Sequence, residues 1–130
     1  MAVTVRSEGM APYRQTITAG NHTFFSDVTP EKGGQDTAPD PHQLMFGAWG
    51  SCTAITLQMY ANRKGWPLEA VSVTFNEDRQ DNRPLIRKQI ELQGNLSPEQ
   101  VARLEVIAEK CPINQMLLGE KQVESSVILK

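Results

Sequence analysis

Apolar and polar residues alternate with a period of two at the start of the chain, then change to a helical period well before its middle. In AVTVRS, Val3 and Val5 fall on one face; in YRQTIT, Tyr13, Gln15 and Ile17 face one way and Arg14, Thr16 and Thr18 the other. Gly20-Asn21 is a hairpin dipeptide leading into a further strand, HTFFS. Residues 27–39, DVTPEKGGQDTAP, are rich in Gly, Pro and charge and read as a loop long enough to suspect a role. A helix is predicted from about Pro41 to Arg63, stopping near Gly65 and Pro67. Next, EAVSVTFNE puts Val71, Val73 and Phe75 on one side of a strand, DRQDNRP makes a polar turn, and IRKQIELQG returns with Ile86, Ile90 and Leu92 on one face, interrupted by Lys88. PEQVARLEVIAEK is amphipathic, with Val101, Leu104 and Ala108 at helical spacing. A short helix, PINQMLLG, follows, and QVESSVILK is predicted to close the chain as a strand. This order points to an α+β fold rather than a parallel α/β sheet, in a single domain spanning 1–130.

Three helix starts share one grammar, a small polar residue followed by proline. Asp40-Pro41 is followed by Gln43 and Ser97-Pro98 by Gln100, each the pattern of a capping box with Pro in the first helical position. The third is Cys111-Pro112, where a cysteine takes the place of the capping Ser or Asp.

The first helix is apolar all round. Leu44, Met45, Phe46, Trp49, Ile55, Leu57, Met59 and Tyr60 do not fit on one stripe, and a helix of that kind must be covered on every side. One sheet covers one side. A second copy of the chain, helix against helix across a two-fold axis, is the simplest cover for the other, with Gly47, Ala48, Gly50, Ser51 and Ala54 permitting close approach. Each glycine costs about 1 kcal/mol against alanine in a helix interior, so a packing gain should offset it. The partner expected on these grounds is therefore a second copy, in a homodimer; the alternative is a monomer with the helix sandwiched between its own sheet and the later helix.

Composition narrows the classes. The net charge of -2 and the absence of like-charge runs give no footprint for nucleic acid or an anionic membrane. Residues 41–62 carry no charge, yet His42, Gln43, Ser51, Thr53, Thr56, Gln58 and Asn62 are too many polar groups for a membrane span. The opening residues lack the pattern of a secretory signal, so a cytoplasmic location is expected.

The two cysteines, Cys52 and Cys111, are far apart in sequence. In a cytoplasmic chain a structural disulfide is not expected; if the two meet in space, redox chemistry is the better reading, and if not, both are small core residues. Local physics ranks Cys111 as the more nucleophilic, since it opens a helix where unpaired N–H groups favour a thiolate. Cys52 lies in an apolar stretch that should disfavour one. His22 and His42 complete no short-spaced ligand pair with the cysteines, so no metal and no cofactor is expected.

The segment GGQDTAPDPHQLMFGAWGSCTAITLQMYANRKGWPLEAVSV, with the later EKCPINQMLLGE, resembles the OsmC/Ohr family of osmotically induced and organic hydroperoxide resistance proteins, and its OsmC-like branch in particular. The resemblance runs from YRQTITAG nearly to the chain end. It implies an intertwined homodimer, with antiparallel sheets from both chains wrapped around two central helices. It also implies thiol-dependent reduction of organic hydroperoxides, with no cofactor and with a dithiol as reductant. In the family the cysteine matching Cys52 is peroxidatic and the one matching Cys111 resolves, which reverses the ranking from local physics. An arginine from the strand region supplies the cation; Arg14 is the candidate here, and Arg6 the alternative. The Cys52 sulfenic acid would condense with Cys111 to a disulfide, which needs Cα atoms within about 7 Å. Met45, Phe46 and Trp49 would favour an organic peroxide over hydrogen peroxide, with His42 also at the substrate site.

The chain departs from the family at two places. Peroxidatic members carry a glutamate just after the proline matching Pro41, paired with the arginine; here that position is His42. A neutral His42 can hydrogen-bond to an arginine or a thiol but cannot supply a carboxylate's charge. After Cys111 the common His-Arg pair is replaced by Asn114-Gln115. Two functions therefore stand: a thiol peroxidase, and a binding protein on the same scaffold that holds a small hydrophobic ligand at the dimer interface.

Overall fold

A computed structural model describes all of residues 1–130, which divide into two units, residues 1–48 and 49–130. The first unit holds a three-stranded antiparallel sheet of β1 (Val3–Ser7), β2 (Gln15–Ala19) and β3 (His22–Ser26), in that order. Ala19 pairs with His22, which leaves Gly20-Asn21 as a two-residue turn. Only Gly20 has positive φ, at +58°, the condition a hairpin turn with glycine first requires.

The 27–39 loop is closed on itself by Asp27. Its buried carboxylate accepts the Val28 N–H at 2.8 Å, the Thr37 N–H at 3.0 Å and the Thr37 hydroxyl at 2.6 Å, while its own N–H reaches the Pro39 carbonyl at 3.1 Å. The Thr37 hydroxyl, with the backbone N–H groups behind it, holds the Asp27 carboxyl below its ordinary range. Between them, Pro30–Lys32 form a single 3₁₀ turn.

The long helix α1 (Pro41–Lys64) starts in the first unit and ends in the second. Its start is the capping box expected from sequence: Asp40 Oδ1 accepts the Gln43 N–H at 2.8 Å and Gln43 Oε1 accepts the Asp40 N–H at 3.0 Å. In the second unit, β4 (Leu68–Gln80) and β5 (Arg83–Gly94) form an antiparallel ribbon, followed by α2 (Pro98–Ala108) and α3 (Pro112–Leu118). The core is Leu57 of α1 with Leu104, Ile107 and Ala108 of α2, and Tyr60, Trp66, Val71, Ile90 and Leu92 pack against it. The register pairs Val71 with Leu92, Val73 with Ile90 and Phe75 with Lys88. The lysine therefore stands on the same face of the ribbon as the apolar residues.

The packing accounts for one of the two helix glycines. A Cβ at Gly50 would stand 3.1 Å from the Phe75 ring and 3.6 Å from Val73, so the ribbon closes directly over the bare backbone there. Gly47 faces open space. Along α1, Trp49, Thr53, Leu57 and Ala61 are buried, whereas Ile55 is 46% exposed and Met59 62% exposed, so one chain covers one side of this helix only.

Two expectations need correction. The polar turn between β4 and β5 is not seven residues but two, Asp81-Asn82, both at positive φ (53° and 62°). Such a primed turn matches strand twist, and it lets the ladder continue through exposed polar residues as far as Gln80 and Arg83. The closing strand over QVESSVILK is absent: residues 119–130 form no element, and Val123, Val127, Ile128 and Leu129 are exposed. A strand exists only against a neighbouring edge, and no sheet in the chain receives this segment.

Candidate functional site

The second unit brings the two cysteines together. Cys111 caps α3 as the sequence grammar predicts: its backbone is extended and its Sγ accepts the Asn114 N–H at 3.2 Å. Pro112 then opens the helix with no N–H left to satisfy. From α1, the buried Thr53 hydroxyl donates to the same sulfur at 3.6 Å, and Cys52, its neighbour in sequence, adds a thiol contact. Both cysteines are free. They differ in access, for Cys111 is fully buried and Cys52 is partly exposed.

Burial is the largest influence on the Cys111 thiol and pushes it up. The Asn114 N–H, the Thr53 hydroxyl, the Cys52 thiol and the charge of Lys88 outweigh it, so Cys111 ionises below the ordinary thiol range.

Asn114 ties the surroundings together. Its Oδ1 accepts the Trp49 indole N–H at 3.2 Å, and its Nδ2 donates to the Glu109 carbonyl at 3.0 Å and to Glu109 Oε2 at 3.3 Å. Trp49 packs on Phe75 with ring centroids 5.1 Å apart, and the Lys88 ammonium sits 5.3 Å from the centre of the indole. The Lys88 Nζ is buried and makes no hydrogen bond. It also lines a cavity of about 290 Å³ with Leu57, Ile90, Leu92, Val101, Leu104, Glu105 and Glu109; neither cysteine lines that cavity.

The remaining residues singled out from sequence lie in the first unit. The Arg14 guanidinium stacks 3.9 Å from the centre of the Phe25 ring, with its Nε buried and unbonded. On α1, His42 and Met45 are exposed and Phe46 is half-buried. Sequence reasoning did not assign Thr53, Lys88 or Asn114 to the site. Lys88 left a signal, a charge on an otherwise apolar strand face. Asn114 left half of one, since the third residue after a capping Cys111 must offer its N–H to the sulfur.

Chemically, the arrangement is one partly exposed and one buried thiol near each other, with the Thr53 hydroxyl and the Asn114 N–H donating to the buried one. No helix of the protein is long and apolar enough to cross a membrane.

No curated protein matches the chain. Solved structures do match in fold. They include an OsmC-like protein from Mycoplasma pneumoniae (TM-score 0.74, 15% identity, 91% of this chain and 86% of that one). Another is the organic hydroperoxide resistance protein OsmC from Legionella pneumophila (TM-score 0.65, 21% identity, 92% and 90%). The organic hydroperoxide resistance protein OhrB of Bacillus subtilis also matches (TM-score 0.56, 24% identity, 91% and 90%). The model of the OsmC-like proteins matches residues 33–126, a span that holds both cysteines, and the chain belongs to the OsmC-like protein family.

Proposed function

We propose that the protein is a thiol-dependent peroxidase that reduces organic hydroperoxides to alcohols. The observation that carries this reading is the contact between a partly exposed Cys52 and a buried Cys111, both reduced, within one unit. Cys52, the accessible sulfur, attacks the peroxide and becomes a sulfenic acid; Cys111 condenses with it to a disulfide, and a dithiol restores the pair by exchange. The apolar side chains of Met45, Phe46 and Trp49 select an organic substrate, and Arg14 supplies a cation to the reacting oxygens. Organic hydroperoxide resistance proteins among the structural relatives support the substrate class.

The working unit in this reading is a cytoplasmic homodimer. The exposed Ile55 and Met59 on α1, the open space at Gly47 and the unpaired apolar residues of the C-terminal segment are surfaces that a second copy would cover. Light scattering at micromolar concentration tests this, and a monomer mass refutes it.

One equivalent of cumene hydroperoxide should remove both free thiols and leave a Cys52–Cys111 disulfide, read by mass spectrometry with and without alkylation. Two persistent thiols would refute the peroxidase. That outcome favours the second reading, a scaffold that binds a small hydrophobic ligand at its dimer interface. The specific observation on its side is His42, which stands where the resemblance calls for a glutamate.

A further inference from the structure

The cavity of about 290 Å³ in the second unit takes its walls from three elements. Strand β5 gives Lys88, Ile90 and Leu92, at intervals of two and so on one face of the ribbon. Helix α2 gives Val101 and Glu105, with Glu109 at its C-cap, at intervals of four and so on one face of the helix. Leu57 comes from α1. Neither cysteine borders this space, and the chemistry proposed above makes no use of it.

Its two polar walls are of opposite charge and do not pair. The Lys88 ammonium is buried without a hydrogen bond, 5.3 Å from the centre of the Trp49 ring, and it forms no ion pair with Glu105 or Glu109. Glu109 accepts the Asn114 amide at 3.3 Å, whereas Glu105 has no such partner and is exposed. A buried cation needs compensation, and an aromatic face supplies only part of it. A molecule in the cavity is placed to supply the rest.

Charge selects the class of that molecule. The lining carries one positive and two negative groups. A neutral apolar molecule would leave Lys88 as it stands. A plain carboxylate would pair with Lys88 but add a third negative charge beside the glutamates, and a plain amine would suit the glutamates but face a buried cation. A zwitterion satisfies both walls. The aliphatic surface of Leu57, Ile90, Leu92 and Leu104 calls for an apolar side chain on it. Volume selects the size: a cavity of about 150 Å³ holds a benzene ring, so twice that space suits roughly ten non-hydrogen atoms.

We propose that this cavity is a binding site for a free aliphatic amino acid of leucine's size, with its carboxylate on Lys88, its ammonium on Glu105 and Glu109, and its side chain against the aliphatic wall. The site does not depend on the peroxidase reading, and either can fail without the other.

Isothermal titration calorimetry of the whole protein with L-leucine tests this, set against 4-methylpentanoate, which lacks the amino group, and 3-methylbutylamine, which lacks the carboxylate. Leucine should bind about tenfold or more tightly than either, because each analogue loses one charge-assisted contact. Lys88→Met should weaken leucine by about tenfold or more without weakening the amine, and Glu105→Gln should weaken leucine without weakening the acid. Equal affinity for leucine and 4-methylpentanoate, no binding of leucine at millimolar concentration, or an affinity that Lys88→Met leaves in place overturns the proposal. If Lys88→Met does not fold, Val101→Trp decides. Val101 is 42% exposed where it lines the cavity, so a larger side chain has room to fit and fills part of the space. Loss of leucine binding in a Val101→Trp protein with native circular dichroism supports the site, and binding that survives the substitution overturns it.

Discussion

Replacing Asn114 with alanine separates what holds the site together from what ionises it. The side chain makes three hydrogen bonds, to the Trp49 indole N–H, the Glu109 carbonyl and the Glu109 carboxylate. Trp49 is 6% exposed, so its N–H cannot turn to water once the amide oxygen is gone. Leaving one buried donor unsatisfied costs about 1–3 kcal/mol. Glu109 is exposed and its two oxygens rehydrate at little cost. Asn114→Ala should therefore destabilise the protein by about 2–3 kcal/mol, most of it from Trp49. For a chain of this length that lowers the Tm by about 10 °C.

The bond that matters to Cys111 comes from the Asn114 backbone, at 3.2 Å, and survives the substitution. The Cys111 midpoint, read from thiolate absorbance at 240 nm against pH, should then move by well under about one pH unit, while the melting point falls. Asn114→Asp reverses the pattern. It keeps an acceptor for Trp49 but puts a carboxylate against Glu109 and near Cys111, which should raise the thiol midpoint. Melting followed by circular dichroism at fixed protein concentration, with the two titrations alongside, is the whole experiment. A Tm loss below about 3 °C for Asn114→Ala, or a thiol shift as large as that of Asn114→Asp, would refute this division of labour.

Thr53→Val preserves shape and removes only the hydroxyl that donates to Cys111; stability should change by less than about 1 kcal/mol, while the thiol midpoint rises. Asp27 has a depressed folded-state pKa, so its contribution to stability is complete above its unfolded value and is lost as pH falls through the folded one. Urea midpoints between pH 5 and pH 3 should therefore drop more steeply in the native protein than in Asp27→Asn. Gly50→Ala should lower the Tm, because overpacking against the Phe75 ring, itself pinned on Trp49, exceeds the helix gain of about 1 kcal/mol. Gly47→Ala meets open space within the chain; if a second copy packs there, it should weaken dimerisation in sedimentation experiments despite the better helix former.

What could be read from the sequence was whatever depends on near neighbours in the chain. All three caps form where a small polar residue precedes proline, and even the substitution of a cysteine for a serine is legible, because the N–H that must be capped lies three residues on. The α1 limits, the first hairpin and the alternation of Val71, Val73 and Phe75 follow from the same local rules. The closing strand failed because strand pattern states a preference and not a partner; QVESSVILK has the alternation but no edge within the chain to pair with. The meeting of Cys52 with Cys111 across 59 positions of chain carries no local signature and came from family resemblance. Lys88 falls between these cases. Its position on an apolar strand face was visible as an interruption, but the reason for it was not, since Trp49 is not near it in sequence. A charge that breaks an otherwise regular apolar face costs desolvation wherever the fold buries it, and an aromatic face beside it offsets part of that cost. By that logic Lys88 and the Trp49 ring, 5.3 Å apart, act as one unit. A double-mutant cycle over Lys88→Met and Trp49→Leu, read by melting near neutral pH, should show coupling above the ~0.5 kcal/mol expected of independent sites, and additive losses would refute the pairing.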